Sequence, residues 1–291
     1  GTNYIRPIKY LENKGSAQCK SSVMLAALNT PGKTIIKAKK SRDHTEIFFK
    51  YLKVPIKIKK TEEHDIIEVH GKNQFKSFNY NIPSDISSSA FFIVLTLLSK
   101  NSRLLIKSVN INPSRIGIIK ILNKMGAKIS FKNQKIYKGE KISDIFVKST
   151  NNLRSINCPI KYNSSAIDEF LIIFLVAAKS KGVSYFKNLS ELNQKESPRL
   201  KLGSKILNKM GIKTKMTKDS IKIYGNPKIN LQKKVKIKNF MKDHRIFMMS
   251  TIAALTFGGN WKIYDKDSIK TSFPKFLKII KELGGKFNLW N

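Results

Sequence analysis

Cysteine is nearly missing from this chain: Cys19 and Cys158 are the only two in 291 residues. Two thiols exclude a disulfide framework, and no Cys/His spacing around them builds a zinc module. Such usage fits a reducing cytoplasm. The four histidines, His44, His64, His70 and His244, share no metal-ligand spacing either. Long apolar runs are also lacking. The longest, Ala90 to Leu98 and Phe170 to Ala178, reach about half of the roughly 20 residues that a membrane span needs, so no membrane partner is expected. The opening residues, Gly1 to Pro7, hold neither the apolar core of a signal peptide nor an initiator Met, and the start is expected to be a processed or cut edge. No P-loop or G-x-G-x-x-G run occurs, which removes the common phosphate-cradling signatures.

Acidic residues are scarce, 19 against 56 basic ones, for a net charge of +37. Such a charge marks a nucleic-acid binder when it is clustered and interleaved with exposed aromatics. Here the lysines are dispersed over the polar positions of amphipathic segments, and most phenylalanines stand in apolar runs. Solvated lysine faces are the favoured reading, and nucleic acid is not an expected partner. The scarcity of arginine is then informative. There are seven, and where lysine is the default cation a retained guanidinium suggests planar, bidentate gripping of phosphate or carboxylate. Arg42, Arg199 and Arg245 lie in dense polar clusters.

What the chain does have is an internal repeat. Ile-Leu-Asn-Lys-Met-Gly occurs at 121–126 and again at 206–211, with a looser version at 280–284. Each Gly is expected to end an amphipathic helix, and strands are expected next, at Ala127–Phe131, Ile212–Met216 and Gly285–Leu289. Upstream, each copy opens with a polar loop and an apolar helix (Ser87–Leu98, Ile167–Ala178, Ile246–Phe257), followed by a strand (Leu104–Val109, Val183–Leu189, Trp261–Asp265). The first segment fits the same order, with helices at Ser21–Leu28 and Thr45–Leu52 and strands at Thr34–Ala38 and Val54–Lys59; Tyr4–Tyr10 is its only candidate opening strand. Further strands are expected at Ile66–His70, Ile145–Lys148 and Ile221–Tyr224. Four copies of a mixed βαβαββ unit result, an α+β (mixed α/β) architecture with apolar helices inside and lysine-studded helices outside.

The loops before the apolar helices carry the chemistry-bearing residues. Helix N-termini attract anions, while Ser and Asp there are equally ordinary caps. Lys195-Glu196-Ser197-Pro198-Arg199 sets an ammonium, a carboxylate and a guanidinium within five residues, suited to gripping a phosphorylated, carboxylated substrate and moving a proton on it. Asp168 and Glu169 precede an apolar helix, as a general base and a structural partner or as two charges complementing the helix dipole. Arg42 is either a substrate cation or an i,i+4 surface partner of Glu46. His64 and His70 read as surface residues, and Cys19 as a buried, inert thiol.

Eight segments, in order and covering nearly the whole length, resemble the 3-phosphoshikimate 1-carboxyvinyltransferase (EPSP synthase) family. They are Gly15-Ser16-Ala17-Gln18-Cys19-Lys20-Ser21, Ser41-Arg42-Asp43-His44-Thr45-Glu46, Pro83-Ser84-Asp85-Ile86-Ser87-Ser88, Asn112-Pro113-Ser114-Arg115-Ile116-Gly117, Ile167-Asp168-Glu169, Lys195 to Arg199, Asp243-His244-Arg245-Ile246 and Thr271-Ser272-Phe273-Pro274. The first two are similar to the branch called class II or glyphosate-tolerant. Asn193, Pro198 and Phe247 depart from the family's usual residues.

The resemblance implies two domains, each of three βαβαββ units, with the active site in the cleft between them. Residues 1–80 would be the remainder of the first (upper) domain and 81–291 the second, with about the first third missing and the activity of this portion alone in doubt. It implies transfer of the enolpyruvyl group from phosphoenolpyruvate to the 5-hydroxyl of shikimate 3-phosphate, by a cytoplasmic monomer with no metal or organic cofactor. Ser16, Ala17, Gln18, Arg42, Asp168 and Lys195 would bind shikimate 3-phosphate; Gln18, Arg199 and Arg245 would bind phosphoenolpyruvate; Asp168 and Glu196 would be catalytic. A nucleotide-sugar enolpyruvyl transferase of cell-wall synthesis and a basic nucleic-acid-binding protein are the alternatives.

Overall fold

The computed structural model describes residues 5–71, 74 and 76–289. The chain divides into two units. The first comprises residues 1–83, 110–115 and 133–143, and the second residues 84–109, 116–132 and 144–291. Tyr4, the start of the candidate opening strand, lies outside the described residues.

The first unit starts with strand β1 (Lys9–Glu12), helix α1 (Ala17–Leu28), strand β2 (Lys33–Lys39), helix α2 (His44–Tyr51) and strands β3 (Ile56–Lys60) and β4 (His64–His70). The strands form one sheet in the order β1–β2–β4–β3, with β1 parallel to β2 and the other two pairings antiparallel. Along β2 and β4 burial alternates residue by residue, because successive side chains point to opposite faces. Their inward set, Ile36, Ala38, Ile67 and Val69, meets Met24, Ala27 and Phe49 from the two helices in one core.

The second unit repeats that plan. The elements that follow in the chain are α3 (Ile86–Leu98), β5 (Arg103–Asn110), α4 (Gly117–Lys124), β6 (Lys128–Tyr137), β7 (Glu140–Lys148), the short α5 (Asn163–Ala166), α6 (Phe170–Lys179), β8 (Gly182–Phe186), α7 (Arg199–Lys209), β9 (Thr214–Met216), β10 (Ile221–Gly225), β11 (Leu231–Ile237), α8 (His244–Phe257), β12 (Gly258–Ile263) and α9 (Phe276–Glu282); residues 133–137 of β6 and 140–143 of β7 count with the first unit. The sheet orders are β5–β7–β6, β8–β10–β9 and β11–β12. Helices α3, α6 and α8 are apolar around most of their circumference, and all three pack against one another. Nine of the ten residues of α6 are buried, at roughly 1.5–3 kcal/mol for each large apolar side chain. The repeat's second helices, α4, α7 and α9, end as expected. Gly126, Gly211 and Gly284 have φ of +90°, +85° and +92°, a left-handed conformation that glycine adopts without a Cβ penalty.

Some expectations need correction. Residues 285–289 form no strand. Helix α6 begins at Phe170, not Ile167, because residues 167–169 turn between α5 and α6. Strand β11 was not expected: its lysines and the register shift between Leu231 and Lys234 obscure the period-2 pattern. His64 and His70 are half-buried on β4, not surface residues.

Candidate active site

In the first unit, the loop before α1 and the loop before α2 are joined by a buried ion pair. Ser16 caps α1, its Oγ accepting from Cys19 N–H at 3.2 Å. Lys20, 1% exposed, places Nζ 2.5 Å from Glu46 Oε1 and donates to the Arg42 carbonyl at 2.8 Å. Ser21 and Thr45 hydroxyls meet at 2.6 Å. Glu46 therefore pairs with Lys20 across the two helices. The following residues are anchored too: Asp43 accepts from Asn112 Nδ2 at 2.9 Å, and His44 Nδ1 lies 2.5 Å from Glu140 Oε1. This frame leaves Ser16, Ala17 and Arg42 half-exposed and Gln18 exposed. Cys19 is exposed as well, against expectation, because it sits on the outward side of the first turn of α1. Cys158 is buried, and burial pushes its thiol up to about 11.

In the second unit, three sequence-distant loops converge. Arg199 starts α7, with Pro198 at the N-cap, a position where a missing N–H costs nothing. Its guanidinium is 1% exposed and is surrounded by carboxylates. Nε donates to Asp243 Oδ2 at 2.9 Å, Nη2 pairs with Glu196, and Nη1 lies 3.6 Å from Asp168 Oδ1. Lys195 Nζ stands 3.7 Å from the same Asp168 oxygen and 2.7 Å from Glu191. Arg245, at the start of α8, donates from Nη1 to the Asp168 carbonyl at 2.8 Å and lies 3.7 Å from Glu169 Oε1, which also accepts from Ser87 Oγ at 2.5 Å.

Asp243 organises this cluster. It accepts from Ser197 Oγ at 2.7 Å and from the Arg245 N–H at 2.8 Å, capping α8, as well as from Arg199. Burial alone would push its carboxyl up. The Arg199 guanidinium, with Ser197 and Arg245 N–H, outweighs burial and holds the carboxyl below the usual range. His244 is pushed below its ordinary value by burial and then by the neighbouring Arg245 charge, so it is neutral at pH 7. Glu196 is the most open member, its side chain 56% exposed, while Lys195 and Asp168 are 24% and 13% exposed. The arrangement offers one exposed carboxylate, one half-buried carboxylate and three cations. That set suits proton transfer beside anion binding.

A family model described as EPSP synthase (3-phosphoshikimate 1-carboxyvinyltransferase) matches residues 2–280. The chain belongs to the EPSP synthase family. The 3-phosphoshikimate 1-carboxyvinyltransferase of Zymomonas mobilis is 36% identical to it over 286 residues, 97% of this chain and 63% of the relative. That of Ruthia magnifica is 38% identical over 277 residues, 95% of this chain and 62% of the relative. The solved EPSP synthase of Acinetobacter baumannii matches with a TM-score of 0.86 at 33% identity, covering 96% of this chain and 63% of that one. The mixed α/β repeat is thus the EPSP synthase fold, and the chain spans under two thirds of the length of these relatives.

Within this EPSP synthase fold, the second unit brings together Asp168, Lys195, Glu196, Arg199 and Arg245, and the first unit brings together the loops carrying Ser16, Ala17, Gln18 and Arg42. The sequence did not assign Asp243 its part as the buried counter-ion of Arg199, nor Glu169 and Ser87 theirs beside Arg245. The signal available was the Asp-His-Arg run opening an apolar helix; which guanidinium it faces, 44 residues away, is a property of the packing. Among the described residues no His/Cys/Asp/Glu group has the arrangement of a metal site, and no helix is long and apolar enough to cross a membrane.

Proposed function

We propose that this chain carries residues for transferring the enolpyruvyl group of phosphoenolpyruvate to the 5-hydroxyl of shikimate 3-phosphate, with release of phosphate, a step toward aromatic amino acids. The observation that carries the reading is the Asp168–Lys195–Arg199–Glu196 cluster in a member of this family. In this reading Asp168 takes the proton of the 5-hydroxyl, and Lys195 at 3.7 Å steadies the carboxylate and the acceptor. Glu196 delivers a proton to the methylene carbon of phosphoenolpyruvate, so that C2 becomes electrophilic and the hydroxyl oxygen bonds to it. The tetrahedral adduct then loses phosphate from C2 and a proton from the new methyl group, restoring the double bond. Arg199 and Arg245 neutralise the phosphate and carboxylate of phosphoenolpyruvate, which Gln18 also binds. Ser16, Ala17, Gln18 and Arg42 hold shikimate 3-phosphate. Positioned acid, base and cations are what such an addition–elimination needs, and no cofactor enters.

The finer reading is a cytoplasmic, monomeric, class II-like enzyme. Residues 1–80 belong to the first domain and 81–291 to the second, this chain being an incomplete portion of the whole. The test is phosphate release from phosphoenolpyruvate plus shikimate 3-phosphate, measured on the chain as it stands and joined to whatever its gene encodes upstream of Gly1. Glu196→Gln is expected to lower turnover by about 10²–10⁴-fold, the usual range for removing a general acid. Undiminished turnover in that variant refutes its role.

A further inference from the structure

The Asn112-Pro113-Ser114-Arg115 motif has no part in the proposed reaction, yet it lies against the residues that follow Arg42. Asn112 is 1% exposed, and both ends of its amide are engaged. Nδ2 donates to Asp43 Oδ1 at 2.9 Å and to Glu140 Oε2 at 3.3 Å. Oδ1 accepts from the Ser114 N–H at 2.8 Å and from Ser114 Oγ at 2.7 Å. The bond to the Ser114 N–H, two residues on, makes an Asx turn, and Pro113 inside it has a fixed φ. These partners fix which way the amide points: turned over, it would set its oxygen against two carboxylates.

Glu140, also buried, extends the network. Its Oε1 lies 2.5 Å from His44 Nδ1; a carboxylate oxygen only accepts, so Nδ1 is the donor. The Ile111 N–H donates to the Lys141 carbonyl at 2.8 Å, which ties the segments carrying Asn112 and Glu140 to each other. Asp43 and His44, the two residues after Arg42, are therefore held separately, one by Asn112 and the other by Glu140. Asp43 also lies 3.6 Å from Lys60 Nζ, but that ammonium is exposed and its grip is weak. Lys20 holds the Arg42 carbonyl itself at 2.8 Å. The backbone around Arg42 is thus pinned at three points, while the residue stays half-exposed.

We infer that Asn112, Glu140 and His44 are positioning residues for Arg42: they set the backbone at Asp43 and His44 so that the guanidinium meets a ligand's phosphate in the right direction. The inference rests on the proposed reading in which Arg42 holds the phosphate of shikimate 3-phosphate. A guanidinium grips phosphate through a planar fork, so its hold depends on direction as well as distance. The arginine stem is long and rotatable, and what the fold can fix is the backbone from which it projects. Asn112 and Glu140 do so with buried groups whose partners are costly to lose, which leaves the network one arrangement. Breaking it lowers affinity for the phosphate-bearing ligand and spares the same ligand without its phosphate.

The experiment measures, by isothermal titration calorimetry, the affinity of the 291-residue chain for shikimate 3-phosphate and for shikimate, which lacks the phosphate. The readout is the ratio of the two, because a general loosening of the fold weakens both alike. Arg42→Ala sets the full size of the phosphate contribution. Asn112→Ala and His44→Leu are expected to cut the preference for shikimate 3-phosphate about tenfold, the worth of one charge-assisted hydrogen bond, with shikimate affinity unchanged. His44→Asn, whose amide N–H stands where the Nδ1–H stood, is expected to keep the preference. The His44 side chain is 39% exposed, so its variants decide the matter if Asn112→Ala does not fold. A wild-type preference in His44→Leu, an equal loss for both ligands, or a His44→Asn no better than His44→Leu overturns the inference and leaves the reading of Arg42 standing. If the wild-type chain shows no preference, or Arg42→Ala leaves it unchanged, that reading fails and the inference falls with it.

Discussion

Replacing Asp243 with Asn removes one charge from the most deeply buried ion pair of the second unit while keeping the side chain's shape. Asp243 and Arg199 are each 1% exposed, and Nε donates to Oδ2 at 2.9 Å. At an effective dielectric of about 20, unit charges at that distance attract by about 6 kcal/mol. Desolvation of both groups offsets much of this, so the pair as a whole contributes little, but removing one partner leaves the other charge buried and costs about 3–5 kcal/mol. The neighbouring Asp168 and Glu196 still compensate part of the guanidinium charge, which sets the expectation at the lower end, about 3 kcal/mol. The assay is urea unfolding followed by tryptophan fluorescence, to which Trp261 of this unit contributes. The pH dependence has a fixed sign. Asp243 has a folded-state pKa below its unfolded value, so its contribution is complete above the unfolded pKa of about 3.9 and is lost as pH falls through the lower folded value. The gap between wild type and Asp243→Asn must therefore be constant near neutrality and close below about pH 4. A loss under about 1 kcal/mol, or a gap that widens on acidification, refutes the role of Asp243 as the counter-ion of Arg199.

In the first unit, Lys20→Met is expected to cost about 3–5 kcal/mol by stranding Glu46, and the double variant Lys20→Met/Glu46→Leu to recover most of it; equal urea midpoints for single and double variants argue against a coupled pair. Thiol titration at pH 8 should find one reactive cysteine. Cys19 is exposed, whereas Cys158 is buried with its thiol pushed up to about 11, a thiolate fraction on the order of 10⁻³; two fast-reacting thiols in the folded chain contradict this burial.

The fold was legible where a single segment decides its own structure. Helices α3 and α6 announce themselves as unbroken apolar runs, and Gly126, Gly211 and Gly284 mark helix ends because their left-handed φ is a local requirement. The candidate site was legible only as a set of motifs. Lys195 to Arg199 carry cations and a carboxylate whatever they face, but the identity of the counter-ion comes from the packing of α7 beside α8. Cys19 and Glu46 show the same limit. Each sits on a short helix, and only the packing of α1 and α2 against the sheet decides that Cys19 points outward and that Glu46 turns toward Lys20.

Residues 285–289 show why sequence pattern alone overstates a strand. Lys286-Phe287-Asn288-Leu289 alternates polar and apolar residues as β9 and its neighbours do, and the preceding Gly284 ends its helix as in the other copies. A strand is not a property of its own residues, however, since its backbone groups bond only to a neighbour. In the second copy the segment after the helix becomes β9 because β10 lies beside it. In the fourth copy no such neighbour stands among the described residues, so the same signal yields unpaired chain with Leu289 exposed. The difference between the copies is therefore whether a partner strand lies beside the segment among the described residues.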